Sequence, residues 1–191
     1  MVIGGLELKN SRDLSLVIIF AVLNFMIALI IGQFTRIITG VPGGAYALTI
    51  LYAINATVAW LMYEGRRWRI LLQALLFNTL ASLFIPSMTI PGTIAFILHA
   101  FTVDLIFNSF YGYFQTRNKL LWWIILLQIF FWVTQPFWLL GFLAWFVYPL
   151  ESVLRIFFIP TMTIGLPIIM IEAIAGAIIG YKIFRRVKNV F

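Results

Sequence analysis

Three polar side chains, His99, Asp104 and Asn108, interrupt the apolar run PGTIAFILHAFTVDLIFNSFYGYF, which extends from Pro91 to Phe114. An ionisable group inside the hydrocarbon of a membrane costs ~3 kcal/mol or more, so it persists where it meets a partner, a cavity or a ligand. Asp104 and Asn108 stand at i and i+4 and share one helix face. This spacing favours a bond between helices for that pair and leaves His99 as the better candidate for a ligand contact.

Further polar and aromatic side chains lie at a similar depth in other apolar segments. Counted from the outer ends of those segments, Glu172 and Gln135 lie at about the same depth as His99. Trp132 and Trp138 flank Gln135 and offer flat faces for stacking. The predicted substrate-binding residues are His99, Glu172, Gln135, Trp132, Trp138 and Asn78. The structural alternative is that His99 bonds Glu172 or a backbone carbonyl and only holds two helices together.

The sequence lacks the motifs of several enzyme classes. No GxxxxGK[ST] loop for nucleotides and no HExxH zinc motif is present, and the chain has one histidine and no cysteine. Ser and His do not occur with an acidic partner in a recognisable hydrolase order. We therefore predict a protein that is not an enzyme and needs no metal or cofactor. An intramembrane enzyme using Glu172, His99 and Asp104 is a third, weaker hypothesis.

Composition indicates a polytopic membrane protein. The 191 residues are 63% hydrophobic and 10% charged, with a mean hydropathy of +1.07, which is far outside the range of soluble domains. In a soluble protein, the formal net charge of +7 would indicate a nucleic-acid partner. In a membrane protein the basic residues set topology, so no nucleic-acid partner is predicted and the expected environment is the lipid bilayer of the cell membrane.

Six segments reach the roughly 20 apolar residues that cross a bilayer. They are 14–32, 44–62, 68–85, 92–114, 120–149 and 159–184. Because a lipid-exposed backbone must satisfy its own hydrogen bonds, each is predicted to be helical, which gives an all-α bundle of six transmembrane helices in a single domain. The fifth segment is too long for one straight span, and Pro136 predicts a break or a kink within it.

The basic residues are concentrated at the two termini and in every second connection between the predicted helices. Eleven of the 13 fall on one side: Lys9, Arg12, Arg66, Arg67, Arg69, Arg117, Lys119, Lys182, Arg185, Arg186 and Lys188. The positive-inside rule therefore places both termini in the cytoplasm. Arg36 and Arg155 are left outside, as snorkelling interfacial anchors or as ligand contacts.

The predicted external connections resemble one another. IPSMTIPG begins at Ile85 and IPTMTIGLP begins at Ile159, and the first external loop, TGVPGG from Thr39, contains a similar Pro-Gly pair. Related outer turns favour internal repetition, which is a common way to build transporters around a central site. The alternative is that Pro, Gly and Thr are simply the residues of any tight turn or helix start.

Small residues form faces on the first and sixth segments. Gly176 and Gly180 make a GxxxG pair in the sixth, where packing within the protein is the default expectation. On the first segment the small or polar face consists of Ala21, Asn24, Ala28 and Gly32. A face of this kind on a terminal helix is well placed for a second membrane subunit.

The chain resembles the substrate-binding S components of energy-coupling factor (ECF) transporters. The resemblance rests on six predicted helices in under 200 residues, the Pro-Gly-rich first loop and the fourth helix AFILHAFTVDLIFNSF, and in sequence it covers about 40–47 and 95–107. It implies a vitamin-binding pocket near the outer face, under a lid formed by Thr39, Gly40, Pro42, Gly43 and Gly44. It also implies that Ala21, Asn24, Ala28 and Gly32 contact a transmembrane coupling subunit driven by two ATPases. Phe25 departs from the family's AxxxA spacing there.

These observations lead to two function hypotheses of different classes. The first is a membrane-embedded binding subunit for uptake of a small water-soluble vitamin or precursor, with thiamine-type pyrimidines as the nearest guess because Trp and Tyr are plentiful. The second is a non-catalytic accessory subunit of a larger membrane complex, in which the buried polar groups only join helices.

Overall fold

The computed structural model describes residues 11–32, 49–84, 90–146, 149–152, 155, 163 and 165–188, and within these ranges the chain is helical and contains no strand. The helices are α1 (Ser11–Met26, continued by a π-helical segment, Ile27–Gly32), α2 (Thr49–Met62), α3 (Arg69–Phe84), α4 (Ile90–Thr116), α5 (Leu120–Phe146) and α6 (Leu166–Val187). A single helical turn, Leu150–Ser152, follows α5. The predicted all-α class is confirmed for the described part of the chain.

Four helical stretches are long and apolar enough to cross a membrane: Arg12–Ile30, Gly92–Thr116, Leu120–Trp138 and Leu166–Val187. The helices α2 and α3 are also apolar but have only 14 and 16 residues in the described ranges. Sixteen residues extend about 24 Å at 1.5 Å per residue, which is less than a hydrocarbon core of about 30 Å. Four apolar helices indicate association with a membrane, whereas six spans remain a prediction.

The predicted boundaries differ from the helices at a few positions. Residues 44–48 of the second predicted segment lie outside the described residues, and α6 begins at Leu166 and ends at Val187. The helix α5 continues through Pro136 as far as Phe146, so Pro136 does not break it. Proline removes one backbone donor and crowds the preceding turn, and a kink at this position stays a prediction.

Helices that are consecutive in the chain run in opposite directions, whereas α2 and α6, which pack together, run parallel. α2 packs against α6 and α1, α4 lies between α3 and α5, and α5 also packs against α6. Ion pairs join Asp13 at the start of α1 to Arg66 in the α2–α3 turn, and Lys188 after α6 to Glu64 in the same turn. The start of α1 and the end of α6 therefore lie at one end of the bundle.

We call this end the basic end because nearly all described Lys and Arg side chains belong to it. They are Arg12, Arg66, Arg67, Arg69, Arg117, Lys119, Lys182, Arg185, Arg186 and Lys188. The helix directions thus reproduce the grouping of basic residues predicted from the sequence. Assigning this end to the cytoplasm stays a prediction.

Candidate functional site

A small cavity lies between α4 and α5, toward the end of the bundle opposite the basic end. It is lined by Gly92, Ala95, Phe96, His99, Gln135 and Trp138 and has a volume of about 30 Å³. A space of this size holds about two water molecules. Three of the predicted substrate-binding residues, His99, Gln135 and Trp138, therefore meet at one place.

His99 is completely buried and is held by one hydrogen bond. Its Nε2 lies 2.9 Å from the hydroxyl oxygen of Thr134, and that hydroxyl donates to the carbonyl of Phe130 at 2.6 Å. Since the only proton of the Thr134 hydroxyl is used in this way, Nε2–H of His99 is the donor to it. In the neutral imidazole, Nδ1 is then an acceptor.

The acceptor nitrogen of His99 has no hydrogen-bond partner among the described residues, although it is buried. The ring around it is fixed by stacking: its centroid lies 4.6 Å from that of Phe131 with a 12° interplanar angle, and 6.2 Å from that of Trp138. An unpaired buried acceptor costs about 1–3 kcal/mol. A bound N–H or O–H donor would recover this cost.

Glu172 does not join this cavity. Its carboxylate accepts hydrogen bonds from the backbone N–H groups of Thr49 and Ile50 in the first turn of α2, where helix N–H groups have no intrahelical partner. The predicted bond between His99 and Glu172 is not formed, because each side chain bonds a different neighbour. Each side chain nevertheless connects two helices, although His99 does so through the Thr134 hydroxyl and not through Glu172 or a backbone carbonyl, the two partners that the structural alternative named.

The two remaining predicted binding residues are absent from the cavity lining. Trp132 is buried and its indole N–H donates to the side-chain carbonyl of Gln128 at 2.9 Å. Asn78 is buried on α3 and donates to the Ala74 carbonyl one turn earlier at 2.8 Å. Within the described residues these two side chains contribute to helix packing.

Sequence reasoning missed Gln128. It is completely buried and its amide donates to the Thr57 hydroxyl on α2 at 3.1 Å, while its carbonyl accepts from Trp132. The available signal was a lone amide between Leu127 and Ile129 in an apolar run.

Replacing Gln128 with leucine is expected to lower the free energy of unfolding by about 1–3 kcal/mol, because the buried indole N–H of Trp132 loses its acceptor. The measurement is thermal unfolding of the purified protein in detergent. Gln115→Leu, the same change at an exposed position of α4, is the control and should leave the melting temperature nearly unchanged. Equal effects of the two substitutions would contradict the assignment.

Asp104 joins α4 to the start of α3, as predicted, whereas the described bond of Asn108 is to Asp104 on its own helix. The Asp104 carboxylate accepts from the backbone N–H groups of Trp68 at 2.8 Å and Ile70 at 2.9 Å, and from the Asn108 amide at 2.9 Å. The carboxylate therefore caps the start of α3 and lies toward the basic end.

A network of ion pairs and hydrogen bonds fixes the α2–α3 turn at the basic end. Asp13 pairs with Arg66 and, at 3.2 Å, with Arg69. The Tyr63 hydroxyl donates to the side-chain carbonyl of Gln73 at 3.0 Å. Burial raises the pKa of Tyr63 above its usual range, and the nearby Arg69 lowers it by less. Tyr63 therefore stays a neutral donor.

The predicted partner-binding face of α1 is partly used within the chain. Ala21 is 1% exposed, and the Asn24 side-chain oxygen accepts from the Asn55 amide of α2 at 2.6 Å. Ala28 is half-buried in the π-helical segment, which ends at Gly32. Contact of this face with a partner stays a prediction, and Ala21 and Asn24 already have neighbours.

The predicted lid, Thr39–Gly44, and most of the two IPxMTI turns lie outside the described residues. Within the described ranges no group of three or more His, Asp or Glu side chains is placed to hold a metal ion. The geometry defines a small, partly open cavity that is lined by His99 and Gln135 and by the aromatic side chains of Phe96 and Trp138.

Comparison with known proteins gives no assignment: the chain matches no protein-family profile, no curated protein sequence and no solved structure.

Proposed function

We propose that the protein is a membrane-embedded binding subunit for uptake of a small water-soluble molecule, similar in role to the S component of an ECF transporter. The observation that carries this proposal is the convergence of His99, Gln135 and Trp138, from two helices, on one cavity. The predicted binding site was selected because these side chains interrupt apolar segments at matching depth.

The chemistry of the cavity supports a flat ligand that carries an N–H or O–H donor. His99 offers Nδ1 as an acceptor, Gln135 adds an amide, and the Trp138 indole offers a face for stacking. An aminopyrimidine of the thiamine type meets these requirements. The cavity of about 30 Å³ admits one edge of such a ring, and we assign its cover to the predicted lid, Thr39–Gly44.

Uptake would also require a source of energy that the sequence does not encode in a recognisable form. We therefore propose a separate transmembrane coupling subunit with two ATPases on the cytoplasmic side, which we take to be the basic end. Affinity purification from gently solubilised native membranes tests this part. Recovery of a coupling subunit with ATPases supports it, and recovery of the protein with other enzyme subunits contradicts it.

We expect one member of a panel of water-soluble vitamins to raise the melting temperature of the purified protein. A ligand at a hundredfold excess over its dissociation constant stabilises the folded state by about 2.7 kcal/mol. His99→Ala and Gln135→Ala should each remove most of the shift, because each removes a polar group from the cavity. The measurement is a thermal unfolding series in detergent for each vitamin and variant.

The control for that experiment is Thr102→Ala, on the same helix as His99, where the hydroxyl only donates to the Leu98 carbonyl. It should retain the full ligand-induced shift. Melting temperatures without ligand show whether the variants are folded. A panel with no active member, or a shift that survives both cavity substitutions, would exclude His99 and Gln135 as the binding site.

A second candidate function is an accessory subunit of a larger membrane complex. The observation that favours it is that Asp104, Gln128, Asn55 and Glu172 all bond a neighbouring helix. Those bonds stabilise the bundle whether or not it binds a ligand. The affinity purification described above separates the two candidates by the identity of the subunits recovered.

A further inference from the structure

A second cavity lies at the basic end, between the start of α1, the α2–α3 turn and the end of α6. It has a volume of about 70 Å³, and its charged lining comprises Arg12, Arg66 and Lys188 with Asp13 and Glu64. It is remote from His99, and nothing argued for ligand binding at His99 involves it. A space of this size holds a group of several atoms.

The carboxylates of this cavity do not neutralise its cations. Asp13 is shared between Arg66 and Arg69, so it is not available to another cation. Glu64 lies 3.6 Å from Arg66 and 3.8 Å from Lys188, which is too long for a good hydrogen bond. Three cations and two carboxylates line the cavity, and Arg69, the second partner of Asp13, adds a fourth cation, so this group of side chains carries two positive charges in excess.

Arg12 supplies part of this excess charge. It is exposed, and none of the described carboxylates forms an ion pair with it. Its neighbour across the cavity, Lys188, lies 5.7 Å from the Phe184 ring centroid and is half-exposed. Both side chains can reorient toward an anion without breaking a short hydrogen bond, so recruiting them costs little.

The same cavity has an apolar side that continues along the bundle surface. Leu16 and Phe184 belong to its lining, and the adjacent outer surface of α1 exposes Leu14, Ile18 and Ile19. An anion that carries an alkyl chain could place its charge in the cavity and its chain along α1. A free anion would leave this apolar surface uncovered.

We infer that this cavity binds the phosphodiester of an anionic phospholipid, held by Arg12, Arg66 and Lys188, with its acyl chains along α1. A phosphodiester carries one negative charge, which the excess of positive charge attracts, and in a phospholipid it also brings alkyl chains to the apolar side formed by Leu16 and Phe184. Basic side chains at a membrane surface are attracted to anionic lipid.

The test measures binding of short-chain lipids to the delipidated full-length protein in a neutral detergent. The probes are dioctanoyl phosphatidylglycerol, dioctanoyl phosphatidylcholine and inorganic phosphate, and the readouts are the shift in melting temperature and the number of lipid adducts in native mass spectrometry. The double variant Arg12→Gln/Lys188→Gln tests the site. Arg117→Gln/Lys119→Gln removes the same charge from the α4–α5 turn and is the matched control.

Phosphatidylglycerol should stabilise the wild type and the control equally, and the Arg12/Lys188 variant should bind it at least tenfold more weakly. Phosphatidylcholine and phosphate should have little effect. Equal binding of phosphatidylcholine, equal loss in both variants, or an equal effect of inorganic phosphate alone would each overturn the inference. Because the substituted side chains are exposed, the variants should fold, and adduct counting on the folded fraction gives an answer even if one is less stable.

Discussion

Replacing Gly176 with alanine lowers the stability of the protein by about 1–3 kcal/mol or more, because the added methyl group has no space at the α2–α6 interface. A Cβ at this position would lie 2.5 Å from the Ala53 methyl group and 2.9 Å from the Ile50 carbonyl oxygen. Packed carbon atoms approach to about 3.5–4.0 Å. The Ile50 oxygen belongs to the helix backbone and cannot move alone, so the two helices must separate.

The next small position of the same face gives an independent check. At Gly180 a Cβ would lie 2.7 Å from Cβ of Thr57 and 2.9 Å from the Ile54 carbonyl oxygen. Gly180→Ala is therefore expected to destabilise the protein to a similar extent. If separation of α2 from α6 is the cause, the double variant should lose less stability than the sum of the losses in the two single variants, because the first substitution already opens the interface.

Gly112→Ala is the matched control for both substitutions. Gly112 lies on α4, is exposed, and a Cβ there would meet no described atom within 4 Å. Alanine is the better helix former by about 1 kcal/mol, so this variant should melt at the same temperature as the wild type or higher. The measurements are thermal unfolding in detergent and the monodisperse fraction in gel filtration. A Gly176→Ala variant as stable as Gly112→Ala would contradict the close approach of α2 and α6.

The close approach of α2 and α6 could be predicted in part from the sequence. The GxxxG spacing places Gly176 and Gly180 on one helix face, which indicates that another helix backbone comes near. It does not identify that helix. The contact with Ala53 and Thr57 depends on how two segments more than a hundred residues apart are arranged, and no local pattern records this.

The same division applies to the candidate site. Apolar periodicity and the short α4–α5 turn are local features. The sequence could therefore predict that His99 and Gln135 lie in one helical hairpin at matching depth. Glu172 was also at matching depth, but its actual partners are backbone N–H groups of α2. Backbone donors are the same at every residue, so a sequence cannot show which side chain will use them.

Replacing Asp104 with alanine is expected to cost about 3 kcal/mol of stability. The carboxylate accepts from the N–H groups of Trp68 and Ile70 and, in the same turn, of Leu71, and its loss leaves buried donors at the start of α3 unsatisfied, at about 1–3 kcal/mol each. Removing a buried charge also recovers some cost of desolvation. The recovered part is the smaller one, because several backbone donors cannot find new acceptors in the bundle.

Asn108→Ala is the control that separates capping from the bond between side chains. It removes the amide that donates to Asp104 and leaves the backbone bonds intact, so its cost should not exceed about 1 kcal/mol. Hydrogen exchange adds a local measurement: the amides of Trp68 and Ile70 should exchange faster in Asp104→Ala and normally in Asn108→Ala. If both variants lose equal stability and those amides stay protected, another group caps α3. If faster exchange is confined to these amides, the result supports the role of Asp104 in holding the α2–α3 turn against α4. Asp104 would then fix the end of the bundle to which Arg66 and Asp13 belong.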